Sequence, residues 1–122
     1  MRLSILDRVA RFASLELQRR FVVHGTVREY LVAEELAEDL LDIERLLARH
    51  GDEFTPAEAA CLQQLIQTLN TVGRDLLREK VTSAEELIER DPVWGAIRSA
   101  AARCLDCLGF DLHAWEQEEL NS

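Results

Sequence analysis

Proline and glycine are scarce in this chain, with two Pro and five Gly among 122 residues. That scarcity argues against a loop-rich or all-β fold, whose turns draw on both residues. Cysteine is limited to Cys61, Cys104 and Cys107. An odd count fits thiols kept reduced better than a disulfide framework, so the expected compartment is the cytoplasm. No stretch approaches the roughly 18 uninterrupted apolar residues of a membrane span. The first residues also lack the apolar core and small-residue cleavage site of a secretory signal. Gly-rich phosphate loops, HExxH, GxSxG and paired ExxH motifs are all missing, so no catalytic residue and no cofactor is assigned.

What is present is helix-forming. The composition is 48% hydrophobic and 30% charged, and Leu, Ala, Glu and Arg dominate. This is the balance of a globular chain, long enough to bury about two-thirds of its unfolded surface without help from a metal or a disulfide. The expectation is one all-α domain over residues 1–122, a compact bundle of about five to six helices.

Helix starts repeat one device, a Ser, Thr or Asp whose side-chain oxygen accepts a bond from an unpaired N–H, often with an acid three residues on. Ser4 with Asp7, Thr26 with Glu29, Thr55-Pro56 with Glu58, Ser83 with Glu86, and Asp91-Pro92 all have this form. Gly25, Gly51 and Gly109 follow helical runs and suit the left-handed residue that closes a helix. Helices are expected near 4–23, 26–50, 56–80, 84–90, 92–108 and 112–119, with Gly73 as a kink inside the third.

The second helix carries Tyr30, Val32, Ala33, Leu36, Ala37, Leu40, Leu41, Ile43 and Leu47 over roughly half its circumference, which makes it the expected centre of the bundle. In the first helix Leu6, Val9, Ala10, Ala13, Leu17 and Phe21 form one stripe. Ile5, Phe12 and Leu15 point away from it, among Arg8, Arg11 and Arg19. Two explanations fit: a helix buried on two sides, or a spare apolar contact patch. Trp94 is expected in the core and Trp115 partly exposed. His24 and His50 stand at helix C-termini, where an imidazolium suits the dipole.

Charge is uneven. Net charge is −9, yet residues 1–30 hold six Arg against Asp7, Glu16 and Glu29. Such acidity disfavours nucleic acid and anionic membranes as direct partners. Opposite its apolar arc the second helix aligns Glu34, Glu35, Glu38, Asp39 and Asp42. The like-charged pairs Glu34–Glu38 and Glu35–Asp39, at i,i+4, weaken the helix slightly, with partial relief from Asp42–Arg45; a solvated face is the plain explanation of the row, and two sharper ones stand beside it. Recognition of a protein with a basic surface is the preferred one, through these acids together with Ile5, Phe12 and Leu15. A homodimer is the second expectation, with the Arg cluster around Phe12 meeting the acids of another copy.

Glu34, Glu35 and Glu38 also resemble the first half of the EExxE pattern of all-α nucleotide pyrophosphohydrolases of the MazG and dimeric dUTPase type. The resemblance covers that one segment and implies metal-dependent nucleotide hydrolysis. Those families place an ExxD pair on the next helix, where this chain has Gln63, Gln64, Gln67 and Asn70, too few anionic oxygens for Mg²⁺. Cys104, Cys107 and His113 form a second possible ligand set. Two thiols in the last turns of a helix lack the N-terminal dipole that makes a CxxC reactive, and their simplest role is as small buried hydrophobes.

Overall fold

The computed structural model describes residues 1–23, 33–73 and 84–121. Among them every regular element is helical: α1 (Arg2–Ala13), α2 (Leu15–Gln18) running into a π-helical turn (Arg19–Val23), α3 (Ala33–Leu41), α4 (Ile43–His50), a 3₁₀ turn (Gly51–Glu53), α5 (Pro56–Val72), α6 (Ala84–Arg90), α7 (Pro92–Cys107) and α8 (Leu112–Asn121). The all-α class expected from composition is what is found. None of the described helices is long and apolar enough to cross a membrane.

Local chemistry explains the boundaries. At α5, Thr55 Oγ1 accepts from the Glu58 N–H at 3.1 Å and Glu58 Oε1 accepts from the Thr55 N–H at 2.9 Å, a complete capping box with Pro56 in the first turn. Asp91 Oδ1 accepts from the Trp94 N–H at 2.9 Å ahead of Pro92. Gly109 has φ 71°, the left-handed residue needed beyond α7. Gly51 and Gly73 differ from expectation: both keep right-handed φ values of −61° and −64° at the ends of α4 and α5. Gly73 is the C-cap residue of α5, and the rest of the helix expected to residue 80 lies outside the described residues. Ser4 lies within α1, which begins at Arg2, so it is not a cap. The start signals at Thr26 and Ser83, together with Gly25, His24, Tyr30, Val32, Leu76 and Leu77, fall outside the described residues.

The largest correction concerns the centre of the bundle. Among the described residues it is α1, which packs against α7 and also touches α3, α4 and α8. Both of its apolar stripes are covered, so Ile5 and Phe12 have no exposed surface and Leu15 is half-buried against the core. The Phe12 ring lies 4.5 Å from that of Trp94, tilted by 33°. The spare-patch expectation for Ile5, Phe12 and Leu15 is thus overturned: fully burying a Phe side chain contributes about 1.5–3 kcal/mol, which a shared two-sided core recovers and an exposed patch would forgo. Of the large hydrophobics described, Leu3 and Met1 are the exposed ones.

Periodicity alone also missed a break in the first helix. Ser14 is extended (ψ 103°) and caps α2, its Oγ accepting from the Leu17 N–H at 3.1 Å and donating to Glu116 Oε2 at 2.6 Å. The break turns Gln18 inward, where it is fully buried. Its Nε2 donates to the Phe12 and Arg11 carbonyls at 2.6 and 3.1 Å, which α1 leaves unpaired on ending. Its Oε1 accepts from Trp94 Nε1 at 3.0 Å and from Arg98 Nη1 at 3.4 Å. Trp115, expected partly exposed, is buried, with Nε1 donating to Asp7 Oδ1 at 3.2 Å, and so pins α8 onto α1.

Candidate acidic docking surface

Helix α3 turns Leu36, Ala37 and Leu40 into the core and packs on α1. By the 3.6-residue period its acids are then forced outward, which orients them by helix geometry alone. They divide into two groups. Asp39 and Asp42 are held by cations of their own chain. Arg8 Nη1 donates to the Asp39 carbonyl at 3.1 Å and to its Oδ1 at 3.4 Å, and lies 3.7 Å from Asp42 Oδ2. Arg45 binds Asp42 through two bonds, Nε to Oδ1 at 2.8 Å and Nη2 to Oδ2 at 2.7 Å. These bonds from Arg45, opposed by burial and reinforced by the charges of Arg45 and Arg8, hold the Asp42 carboxyl below its ordinary range.

Glu34, Glu35 and Glu38 are different. All three are exposed, and none has a hydrogen bond or ion pair among the described residues. At Glu38 opens a broad, shallow depression of about 460 Å³ lined also by Arg8, Asp39, Leu41 and Asp42. Its apolar element is the half-buried Leu41, and its rim carries the free carboxylate of Glu38. An Arg or Lys side chain laid there would place its aliphatic stem on Leu41 and its charged head at Glu38.

Elsewhere the acids have internal work. Glu89 receives two bonds from Arg19, Nε to Oε1 at 2.5 Å and Nη2 to Oε2 at 2.9 Å. Glu58 receives two from Arg2, at 3.0 and 2.6 Å, and Glu116 takes the Ser14 hydroxyl. His50 Nδ1 sits 3.2 Å from Glu53 at the end of α4. The basic excess of the first thirty residues is therefore partly spent on the acids of later helices. Of Arg8, Arg11 and Arg19, the cations expected to meet a second copy, Arg8 and Arg19 are paired within the chain, and the Phe12 ring they were to surround is buried.

The cysteines are a further correction. Cys61 on α5 and Cys107 at the end of α7 form a disulfide, with Cα atoms 5.9 Å apart across 46 residues of sequence. The spacing of Cys104 and Cys107 drew attention to the wrong pair, because Cys61 is distant in sequence and meets α7 only through packing. Cys104 is the free, buried thiol, pushed up to about 11 by its burial. With two of three thiols paired, the odd count no longer argues for a reducing compartment. Among the described residues, no three His, Cys, Asp or Glu side chains are grouped so as to hold a metal ion. Gln63, Gln64, Gln67 and Asn70 lie on α5, exposed, and Asn70 Nδ2 donates to Glu44 Oε2 at 3.0 Å.

No family model, no curated protein and no solved structure matches this chain.

Proposed function

We propose that this chain is a non-enzymatic protein-interaction module that docks onto a basic protein surface through Glu34, Glu35 and Glu38. The observation that carries the reading is the division within one acidic row: two carboxylates are paired with Arg8 and Arg45, while three stay exposed, one of them, Glu38, on the rim of a depression whose lining includes Leu41. Like charges left adjacent and unpaired cost the isolated helix a little, and a cationic partner removes that cost. The site is narrower than the sequence suggests, since Ile5, Phe12 and Leu15 drop out and Asp39 and Asp42 act as its internally braced edge. A cytoplasmic location belongs to the proposal, and there the Cys61–Cys107 bridge would have to exchange with cellular thiols.

The test is co-purification from native lysate at low and then at high salt. Fixed surface charge recognised by its opposite predicts a partner retained at low ionic strength and released as salt screens the contact. Retention of no protein at either salt removes the reading's basis.

A further inference from the structure

Helices α5 and α7 pack along a seam that contains every cysteine of the chain. Between them lies a cavity of about 130 Å³ whose lining includes Cys61, Cys104, Gln64, Thr68 and Arg103. The two ends of the bridge are unlike. Cys61 is buried, 6% exposed, with its side chain at the cavity, whereas Cys107 is an exposed residue at the last turn of α7. An attacking thiolate needs open approach to the sulfur it strikes, and the departing sulfur leaves faster where its thiolate is stabilised. Exposure offers the first at Cys107. At Cys61 the cavity gives the released sulfur room, with the polar residues Gln64, Thr68 and Arg103 among its lining.

We propose that the Cys61–Cys107 bridge is a reversible thiol-exchange site, with Cys107 as the sulfur that takes an external low-molecular-weight monothiol and Cys61 as the sulfur that resolves the adduct. The thiolate of the monothiol attacks Cys107 Sγ. The Cys61–Cys107 bond breaks as the new mixed disulfide forms, and Cys61 departs as a thiolate into the cavity. In reverse, the Cys61 thiolate attacks Cys107 Sγ and expels the monothiol. A second equivalent of monothiol, attacking the outer sulfur of the adduct, completes reduction and leaves as the symmetrical disulfide. Cys104 also lines the cavity but stands outside the bridge as a free thiol. The site is separate from the acidic surface, because neither bridged cysteine lies on α3.

The experiment uses the oxidised full chain in reduced glutathione under native conditions, quenched with acid, alkylated and mapped by peptide mass. The expected product carries glutathione on Cys107 and the alkyl label on Cys61. Cys61→Ser treated with oxidised glutathione should hold a stable adduct on Cys107, Cys107→Ser should take none on Cys61, and Cys104→Ser should leave the exchange rate unchanged. Glutathione on Cys61, or a bridge that opens only at the rate of global unfolding followed by circular dichroism, overturns the proposal. The wild-type map alone decides the matter if a variant does not fold.

Discussion

Replacing Phe12 by Ala separates the core assignment from a surface patch. The ring is wholly enclosed and in contact with Trp94, 4.5 Å between centroids. Truncating a buried Phe to Ala costs about 3–5 kcal/mol, the transfer of the lost carbons plus the cavity left behind. Part of that is the aromatic pair, which adds about 0.5–1.5 kcal/mol beyond burial. Against the 5–15 kcal/mol typical of a whole domain, this is a large fraction. With a urea dependence of about 2 kcal/mol per molar, a loss of about 4 kcal/mol moves the unfolding midpoint down by about 2 M. Tryptophan fluorescence and circular dichroism should give coincident transitions, since Trp94 reports the site itself. Leu3→Ala is the control: at 74% exposed it should change stability by no more than about 0.5 kcal/mol. If Phe12→Ala shifts the midpoint no more than Leu3→Ala does, or if Phe12→Glu folds as the wild type, the ring is not in the core and α1 is not the centre of the bundle.

Further predictions concern the internal connections. Gln18→Ala strands the Trp94 indole N–H and the Arg11 and Phe12 carbonyls, and each buried group left without a partner costs about 1–3 kcal/mol, measurable in the same urea titration. The Glu58 carboxyl is lowered from 4.5 to about 2, first by the Arg2 side-chain bonds and then by the Thr55 N–H. Because folding depresses this group, its contribution is complete above the unfolded range and is lost as pH falls from about 4.5 towards about 2. The thermal midpoint should therefore drop over that window, and less steeply in Glu58→Gln; equal slopes would contradict the assignment. Reducing the Cys61–Cys107 bridge opens a cross-link spanning 46 residues, which on chain-entropy grounds removes about 4 kcal/mol. The check is urea unfolding with and without a reductant, with Cys61→Ser as the permanently open form.

How far these features were legible depends on the range of the interaction behind each. Several signals confined to four residues were readable: the Thr55–Glu58 box, the Asp91–Pro92 start and the Gly109 stop appear as expected, whereas the equally local Ser4 cap and left-handed Gly51 do not. Helical periodicity likewise placed Trp94 and Cys104 inside. Connections across the sequence were not readable. Ser14 breaks the first helix partly through Glu116, 102 residues away, and Gln18 is drawn inward by Trp94, 76 residues away. Cys61 finds Cys107 only because α5 and α7 pack together. The acidic row shows both limits. Its existence was plain from composition, but which carboxylates stay open was set by Arg8, 31 residues from Asp39, and by the local pairing of Asp42 with Arg45. Arg45 stands three residues from Asp42, a spacing visible in the sequence, whereas the reach of Arg8 was not.

The open carboxylates of α3 are the centre of the functional account. Their most direct test is capture from native lysate with the wild type beside a triple Glu34→Gln, Glu35→Gln, Glu38→Gln variant, quantified by mass spectrometry. The variant should be at least as stable as the wild type, since the substitutions touch no described bond and relieve the Glu34–Glu38 repulsion. A basic protein should be retained by the wild type and lost by the variant. Equal retention of that same protein by the folded variant would contradict it.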